Sequence, residues 1–448
     1  MREKTLELLK NKKFTELKLL LNDASPVDVA ALLSEMEKED ILLIFRLLAK
    51  DLAAETFVEM DSDNQELLIK AFTDKELKAV VDELYVDDAV DIIEEMPANV
   101  VKRILKHTDP ETRKDINEIL KYPKDSAGSL MTTEYVSLKK DMTVVEAFEK
   151  IRQTAIDKET IYTCYITNKN RKLLGIVTAK DLMLAPKEAL LSDIMKTNII
   201  YSTTLEDKEL VAKKFEKYDF LALPVVDKET RLVGIITVDD AVDVIQEENT
   251  EDFAKMAAIQ PSEDTYFKTP IWKHSKNRIL WLLFLMLSAT ITGAIITEYE
   301  EAFAAIPLLV AFIPMIMGTG GNCGAQSSTM IIRGLALEEI KIKDIFKVML
   351  KEIGIALIIG VILAIVNFVR MKIQYGNDEL ANELAYVVGI TLILTVMIAK
   401  ILGGTLPILA KLCHIDPALM ASPIITTIVD IVSVMIYFAI ATMMLGIV

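Results

Sequence analysis

The sequence predicts a multidomain protein: an all-α superhelical repeat domain, a tandem pair of α/β modules, a long connecting helix and a five-helix α transmembrane domain. Three observations support this fold class. Apolar residues recur every twelve positions near the N-terminus, a longer repeat follows in the middle, and five long apolar segments fill the C-terminal part. Charged residues are concentrated before residue 275, so one chain combines a water-facing part with a membrane part.

The charge of the N-terminal part narrows the classes of partner. Residues 1–260 carry 37 basic and 52 acidic side chains, a net charge of −15 out of −16 for the whole chain. This argues against nucleic acid as a partner, because binding to phosphates needs positive charge, and it suits cations. The first residues contain no apolar signal-peptide core, so we expect the N-terminal part to stay in the cytosol. The three cysteines (Cys164, Cys323 and Cys413) are far apart and predict neither a disulfide framework nor a zinc site.

The first predicted domain spans residues 1–123. Its repeat is marked by Met36, Leu48, Met60, Phe72, Leu84 and Met96, which lie at equal intervals of twelve. Each interval contains one short amphipathic segment, and a single helix of that length is marginally stable in water. The units are therefore predicted to stack into a small superhelical solenoid that buries their apolar faces.

The second predicted domain spans residues 124–245 and contains two copies, at about 126–186 and 190–245. Each copy has an amphipathic helix, an apolar strand, a turn, a second strand, and a helix entered through the motif G-h-h-T-x-x-D, where h is apolar. Gly175, Thr178 and Asp181 fill the motif in the first copy, and Gly234, Thr237 and Asp240 fill it in the second. A Thr N-cap with an Asp in the first turn suits a ribose or phosphate, so Thr178, Asp181, Thr237 and Asp240 are candidate nucleotide-binding residues. The alternative is that they are only helix caps.

A connecting helix is predicted over residues 238–262, because no Gly or Pro interrupts the chain before Pro261. It carries one basic residue, Lys255, against seven acids: Asp239, Asp240, Asp243, Glu247, Glu248, Glu251 and Asp252. Divalent cations held by carboxylates and waters would relieve their repulsion. A solvated acidic face is the alternative interpretation.

The transmembrane domain is predicted over residues 275–448, with spans at about 279–297, 303–331, 345–369, 385–410 and 417–446. Basic residues precede the first span and separate the second from the third, which places both regions on the cytoplasmic side. Five is an odd number, so the C-terminus is predicted to face outside.

Asp430, in the fifth span, is the leading candidate for an ion-pathway residue, and we expect it to be the only acid within a span. An unpaired carboxylate at membrane depth is costly unless it meets water, a cation or a polar partner. A neighbouring helix that satisfies it is the alternative. Lys400, in the fourth span, is expected to face away from the pathway and to extend towards the interface.

The second span contains GTGGNCGAQSSTMIIRG over residues 318–334. Glycines and polar groups at this depth are tolerated only where they line a cavity or pack against protein. The second and fifth spans are therefore predicted to form most of a transport path, with simple helix packing as the alternative.

The order of these parts, the segment GTGGNCGAQSSTMIIR and the late Asp430 together resemble the MgtE family of magnesium channels and transporters, and the tandem modules resemble CBS domains. The resemblance covers essentially the whole chain. It implies a homodimer in the lipid bilayer whose pore lies at the subunit interface. In this interpretation Asp430 holds a largely hydrated Mg²⁺ and Asn322 lines the pore. The implied cytosolic sensing carboxylates are Asp87, Asp91, Asp207, Glu209, Asp240, Asp243, Glu248 and Asp252.

The function implied by the resemblance is Mg²⁺-selective uptake, by a channel or transporter for divalent cations in the cytoplasmic membrane. Cytosolic Mg²⁺ would close the pathway, and ATP would modulate it through the CBS pair. The alternative is a nucleotide-regulated secondary carrier for another divalent cation or solute. An enzyme is not expected, since His107, His274 and His414 are scattered through different regions.

Overall fold

The computed structural model describes residues 1–155, 158–262, 266–267, 269–300, 304, 306–376 and 378–446. Two compact units make up the chain, Met1–Gln246 and Glu247–Val448. The first contains the repeat domain and the tandem modules. The second contains the end of the connecting helix and the apolar helices.

The repeat domain consists of ten short helices. They are α1 (Arg2–Lys10), α2 (Phe14–Asn22), α3 (Pro26–Ser34), α4 (Lys38–Phe45), α5 (Lys50–Val58), α6 (Ser62–Ala71), α7 (Asp74–Val81), α8 (Val86–Glu95), α9 (Ala98–His107) and α10 (Pro110–Ile119). From Leu48 to Met96, the residues at intervals of twelve are buried just after successive helices, where they close one unit against the next. The prediction of a helical repeat domain is confirmed.

The tandem modules have matching sheets of three strands. In the first copy the order is β1 (Tyr135–Leu138), β2 (Thr160–Thr167) and β3 (Leu173–Thr178), and in the second it is β4 (Ser202–Thr203), β5 (Ala222–Val226) and β6 (Leu232–Thr237). The first pair in each sheet is parallel and the second antiparallel. The helices are α11 (Val144–Thr154), α12 (Ala179–Leu184), α13 (Leu191–Ile194) and α14 (Lys208–Tyr218). The predicted pair of α/β modules is confirmed.

The motif glycines pack against methionines of the opposite copy. A Cβ on Gly234 would lie 2.7 Å from Met131 Sδ, and a Cβ on Gly175 would lie 2.7 Å from Met195 Sδ. Each methionine enters at the start of one copy and packs on the last strand of the other, so the two copies exchange the same contact.

The connecting helix, α15, spans Val238–Met256 and ends before the predicted residue 262. Ala258 adopts a left-handed conformation with φ 56°. The amide of Ile259 donates to the carbonyl of Ala254 at 2.9 Å, and the amide of Ala258 donates to that of Lys255 at 2.9 Å. This pair of bonds is a Schellman ending, which satisfies the last carbonyls without a glycine.

Within the part of the chain that the structure describes, five helices are long and apolar enough to cross a membrane, as predicted. The helical parts of the spans are Ile271–Glu298 (first), Ile313–Ala336 (second), Ile345–Tyr375 (third), Glu379–Leu412 (fourth) and Ser422–Leu445 (fifth). Short 3₁₀ turns at Pro307–Phe312, Ile342–Asp344 and Pro417–Met420 lead into the second, third and fifth spans. The fourth span has the most buried face, and the first is largely exposed.

Candidate functional site

Asp430 lies in the third turn of the fifth span and borders a cavity of about 270 Å³. Its Oδ1 atom is buried and has no hydrogen-bond partner among the described residues. The cavity is also lined by Thr427, one turn earlier on the same helix, and by Met317 of the second span. A carboxylate oxygen without a partner, next to an open volume, is suited to accept hydrogen bonds from water around a cation.

The first span forms the remaining wall of this cavity. Its lining residues are Leu285, Ala289, Thr292, Gly293 and Ile296, which recur at helical spacing on one face. A Cβ added to Gly293 would meet nothing within 4 Å, so there is open space beside this residue. The sequence interpretation formed most of the path from the second and fifth spans. It did not identify the first span, since nothing in the apolar sequence of that span distinguishes this face.

The glycines of the second span allow close packing against the fourth and fifth spans. A Cβ on Gly320 would lie 2.8 Å from Val429 Cγ1, and one on Gly321 would lie 2.7 Å from Thr426 Cγ2. Gly324 would collide with Ile425 at 2.6 Å. These glycines therefore hold the second span against the helix that carries Asp430.

The opposite face of the second span carries a polar stripe. Gly318, Asn322, Gln326 and Thr329 are all exposed and recur at steps of four, four and three residues. Steps of three and four place residues on one side of a helix. Asn322 is thus positioned on this open stripe, on the side away from the glycine contacts.

Two expectations about charges in the membrane are wrong. Lys400 is buried, with 4% of its surface exposed, and its Nζ donates to Ser327 Oγ at 3.1 Å. Asp430 is not the only acid in a span, since Glu352 lies in the third span and is 7% exposed. Lys400 does not extend to the interface because Ser327 and Glu352 provide polar partners inside the helix bundle.

An acidic cluster lies where the repeat domain meets the tandem modules. One carboxylate oxygen from each of Asp87, Glu134 and Glu159 lies within 4.8 Å of the other two. Asp87 is in the first turn of α8, and Glu134 Oε2 accepts from the amide of Val86, which opens that helix, at 3.1 Å. The amide of Glu159 donates to the carbonyl of Glu134 at 2.9 Å. Backbone contacts therefore hold the three acids together.

The carboxylates of this cluster repel one another. Burial, followed by the charge of Asp240, raises the pKa of Asp87 well above its usual range. Burial and the charges of Asp240 and Asp239 raise the pKa of Asp88 to about 7. Burial and the charge of Asp88 raise the pKa of Glu159 to about 8. A bound divalent cation would reduce the repulsion between these negative charges.

Asp240 belongs to the same electrostatic group. Burial raises its pKa to about 6, although a hydrogen bond from Thr237 opposes the shift. The structure thus brings two predicted residues, Asp87 and Asp240, together at the N-terminal ends of α8 and α15. Glu134 and Glu159 were missed, because 25 residues separate them and neither belongs to a sequence motif.

The other predicted sensing residues are placed as follows. Asp207 caps α14 by accepting from the amide of Glu209 at 2.9 Å, and Glu209 pairs with Lys213 at 2.6 Å. Asp91 is exposed on α8 and Asp243 is exposed on α15. Glu248 and Asp252 are half-buried on the later part of α15.

The motif residues of the tandem modules are bonded as helix caps. Thr178 Oγ1 donates to Asp181 Oδ2 at 2.6 Å, and the amide of Asp181 donates back to Thr178 Oγ1 at 3.1 Å. Thr237 Oγ1 donates to Asp240 Oδ2 at 2.6 Å. These bonds account for the motif locally, and the helix N-termini remain compatible with an anionic ligand.

Family models match three parts of the chain. A model described as divalent cation transporter MgtE matches residues 313–440, and the MgtE intracellular N domain matches residues 24–125. The CBS domain matches residues 127–188 and 191–247.

Two curated relatives match almost the whole chain. The magnesium transporter MgtE of Thermus thermophilus is 34% identical, covering 96% of this chain and 95% of the relative. The magnesium transporter MgtE of Bacillus subtilis is 32% identical, covering 97% and 95%.

Among solved structures, one is the cytosolic domain of the Mg²⁺ channel MgtE in complex with ATP. It is 35% identical, has a TM-score of 0.52, and covers 55% of this chain and 100% of that one. Another is the soluble part of a magnesium transporter, 29% identical with a TM-score of 0.52.

Proposed function

The chain belongs to the MgtE family of divalent cation transporters, and we propose that it is a Mg²⁺-selective channel for magnesium uptake across the cytoplasmic membrane. The observation that carries the proposal is the carboxylate of Asp430, whose Oδ1 has no partner among the described residues and which borders a membrane-level cavity. An uncompensated acid in that position attracts a cation strongly, because little water screens the charge.

The cavity is large enough for a hydrated ion. A water molecule takes up about 30 Å³ in the liquid, so the six waters of a hydrated Mg²⁺ need about 180 Å³. The cavity beside Asp430 holds about 270 Å³. Since Mg²⁺ loses its waters reluctantly, Asp430 would bind the ion through water, and the ion would keep its inner shell.

The polar stripe of the second span supports a homodimer. Asn322, Gln326 and Thr329 are exposed in the single chain, and polar groups are unfavourable against lipid tails. A second copy related by a two-fold axis would cover this face and place two stripes around a shared aqueous path. Asn322 then lines the pore, with Asp430 of each copy contributing the charge.

The basic residues support the proposed orientation in the membrane. Lys273, Lys276 and Arg278 lie at the start of the first span. Lys341 and Lys343 lie between the second and third spans, and Lys347 lies in the first turn of the third span. By the positive-inside rule, both groups favour the cytosolic side, which supports N-terminal domains inside and a C-terminus outside.

The acidic cluster supports regulation by cytosolic Mg²⁺. Mg²⁺ bound near Asp87, Glu134 and Glu159 would favour the arrangement in which the repeat domain, the CBS pair and α15 are drawn together. A ligand that binds one state more tightly shifts the population towards it. Asp91, Asp207, Glu209, Asp243, Glu248 and Asp252 extend the acidic surface that would bind further ions. ATP bound between the CBS copies would change the same equilibrium.

The test is Mg²⁺ uptake by vesicles reconstituted with the full-length protein, with and without a membrane potential. We expect uptake that follows the electrochemical gradient and is lost in Asp430→Asn and Asp430→Ala, while both variants insert and dimerise. The matched control is Asp378→Asn, an acid at the start of the fourth-span helix that caps the amide of Leu380. Wild-type uptake in Asp430→Ala would refute the pore assignment, and uptake driven by a second solute would indicate a carrier.

A further inference from the structure

Three polar side chains meet inside the helix bundle, each from a different span. Ser327 Oγ of the second span donates to Glu352 Oε2 of the third span at 2.6 Å. Lys400 Nζ of the fourth span donates to Ser327 Oγ at 3.1 Å and lies 4.0 Å from Glu352 Oε2. All three residues are at least 93% buried, so the two opposite charges are held in a medium that screens them weakly.

Glycines bring the three helices close enough for these contacts. A Cβ on Gly403 of the fourth span would collide with the carbonyl oxygen of Gly324 and lie 3.1 Å from Ser327 Cβ. A Cβ on Gly404 would lie 3.0 Å from Glu352 Cγ. The backbone of the fourth span therefore contacts the second span directly at Gly403. The next residue, Gly404, leaves space for the side chain of Glu352.

The three residues lie behind the proposed pore face of the second span. Ser327 is five positions after Asn322, which places it about 140° around a helix that turns about 100° per residue. Lys400 is consequently separated from the polar stripe by about one helix diameter, roughly 10 Å. Electrostatic interactions remain appreciable over that distance in a poorly screened bundle.

We propose that Glu352 is a positioning residue for cation permeation. It neutralises Lys400 behind the second span, so that a divalent cation at the front of this helix meets no net positive charge across it. Ser327 bonds to both charged groups and fixes them against the pore helix. The inference rests on the proposed function and adds a requirement that Asp430 alone does not supply.

The experiment measures Mg²⁺ uptake against Mg²⁺ concentration in vesicles containing full-length protein. Four variants are compared with the wild type: Glu352→Gln, Lys400→Met, the double variant Glu352→Gln/Lys400→Met, and Lys351→Gln as a charge control. Lys351 is exposed beside Glu352 on the same span, so its removal changes the net charge without touching the buried pair.

We expect Glu352→Gln to raise the KM for Mg²⁺ at least tenfold, because it leaves Lys400 uncompensated. Lys400→Met should not raise the KM, and the double variant should return it to within twofold of the wild type. A role in packing alone predicts equal losses in both single variants and no recovery in the double variant. That pattern, or an unchanged KM in Glu352→Gln, would overturn the proposal.

Two further comparisons test the proposal if one variant fails to insert, and separate it from the proposed function. If Glu352→Gln fails to insert, Lys400→Met and the double variant carry the test, and a raised KM in either contradicts the proposal. The wild type and Asp430→Asn are measured alongside. Absence of uptake by the wild type would refute the proposed function, whereas uptake that depends on Asp430 but not on Glu352 would refute only this inference.

Discussion

Lys255 Nζ donates to Asp416 Oδ2 at 2.8 Å, which ties the last turn of the connecting helix to the turn that opens the fifth span. Glu251 holds the same ammonium group at 2.9 Å. Burial lowers the pKa of Lys255, but the hydrogen bonds that its ammonium group donates to Asp416 and Glu251 outweigh this effect and raise the pKa overall. The only basic residue of α15 is thus bonded to the segment that leads towards Asp430.

This contact predicts that Lys255 transmits the position of α15 to the pore. We predict that the contact belongs to the closed arrangement. In Lys255→Gln, the Mg²⁺ concentration that half-closes the proposed channel should then rise about threefold to tenfold, because that arrangement loses a charge-assisted hydrogen bond. Current or uptake measured against internal Mg²⁺ tests it. Lys255→Arg should keep the wild-type dependence, and an equal shift in both variants would contradict the prediction.

The lack of a side chain at Gly293 is predicted to keep the cavity beside Asp430 open. Leucine at this position would extend into open space next to the carboxylate, so Gly293→Leu should reduce Mg²⁺ uptake at least tenfold without destabilising the protein. Gly354→Leu on the third span is the control, since a Cβ there also meets nothing within 4 Å. Equal Mg²⁺ uptake by the two variants would show that the first span does not line the pathway.

The acidic cluster predicts that stability falls with rising pH when Mg²⁺ is chelated. Free carboxylates have pKa values near 4, whereas folding raises those of Asp240, Asp88 and Glu159 to about 6, 7 and 8. The folded protein therefore binds these protons more tightly, and its stability is lost as pH rises from about 4 to 8. The melting temperature of the full-length protein between pH 5 and 8 measures this.

A single variant isolates the effect. Glu159→Gln should raise the melting temperature at pH 8 by several degrees, corresponding to on the order of 1–3 kcal/mol, and should change little at pH 5. It should also weaken the stabilisation that added Mg²⁺ gives. Glu149→Gln, an exposed acid on α11, is the control. If the melting temperature changed neither with pH nor on substitution of Glu159, charge repulsion within the cluster would not destabilise the protein.

The proposed closure by cytosolic Mg²⁺ predicts a role for the acids of α15. Neutralising Asp240, Asp243, Glu248 and Asp252 together should leave the channel open at internal Mg²⁺ concentrations that close the wild type, because Mg²⁺ then loses its preference for the compact state. Neutralising Glu37, Glu39, Glu149 and Glu188 changes the net charge equally at exposed sites. Unchanged closure in the first variant would make α15 a solvated linker.

Nucleotide binding is predicted at the two capped helix starts of the CBS pair. ATP should raise the melting temperature of the wild type and release or absorb heat in calorimetry, and Thr178→Ala and Thr237→Ala should each weaken binding. Each substitution also removes a cap that stabilises the protein by about 1 kcal/mol. Thr143→Ala removes a comparable cap on α11 and should leave ATP binding intact. No response to millimolar ATP would leave the motif residues as caps only.

The sequence predicted the fold better than it predicted the charged contacts. Apolar spacing sufficed for the helical repeat, the paired modules and five spans, because burial of periodic faces determines these elements locally. It failed for Lys400, since the partner Glu352 lies 48 residues away on another span. Glu352 itself was missed, although it lies within the predicted third span at 345–369. The end of α15 was missed because Ala258, not a glycine, takes the left-handed position.

The exchange of methionines between the CBS copies makes each copy an incomplete folding unit. One copy expressed alone would leave its motif glycine facing solvent, and its own methionine would have no groove to enter. The two copies should therefore unfold in one cooperative transition, and a destabilising change in either would be felt in both. A change in packing at the start of one motif helix would then alter the packing at the other through these methionine contacts. No ligand that contacts both helices would be needed.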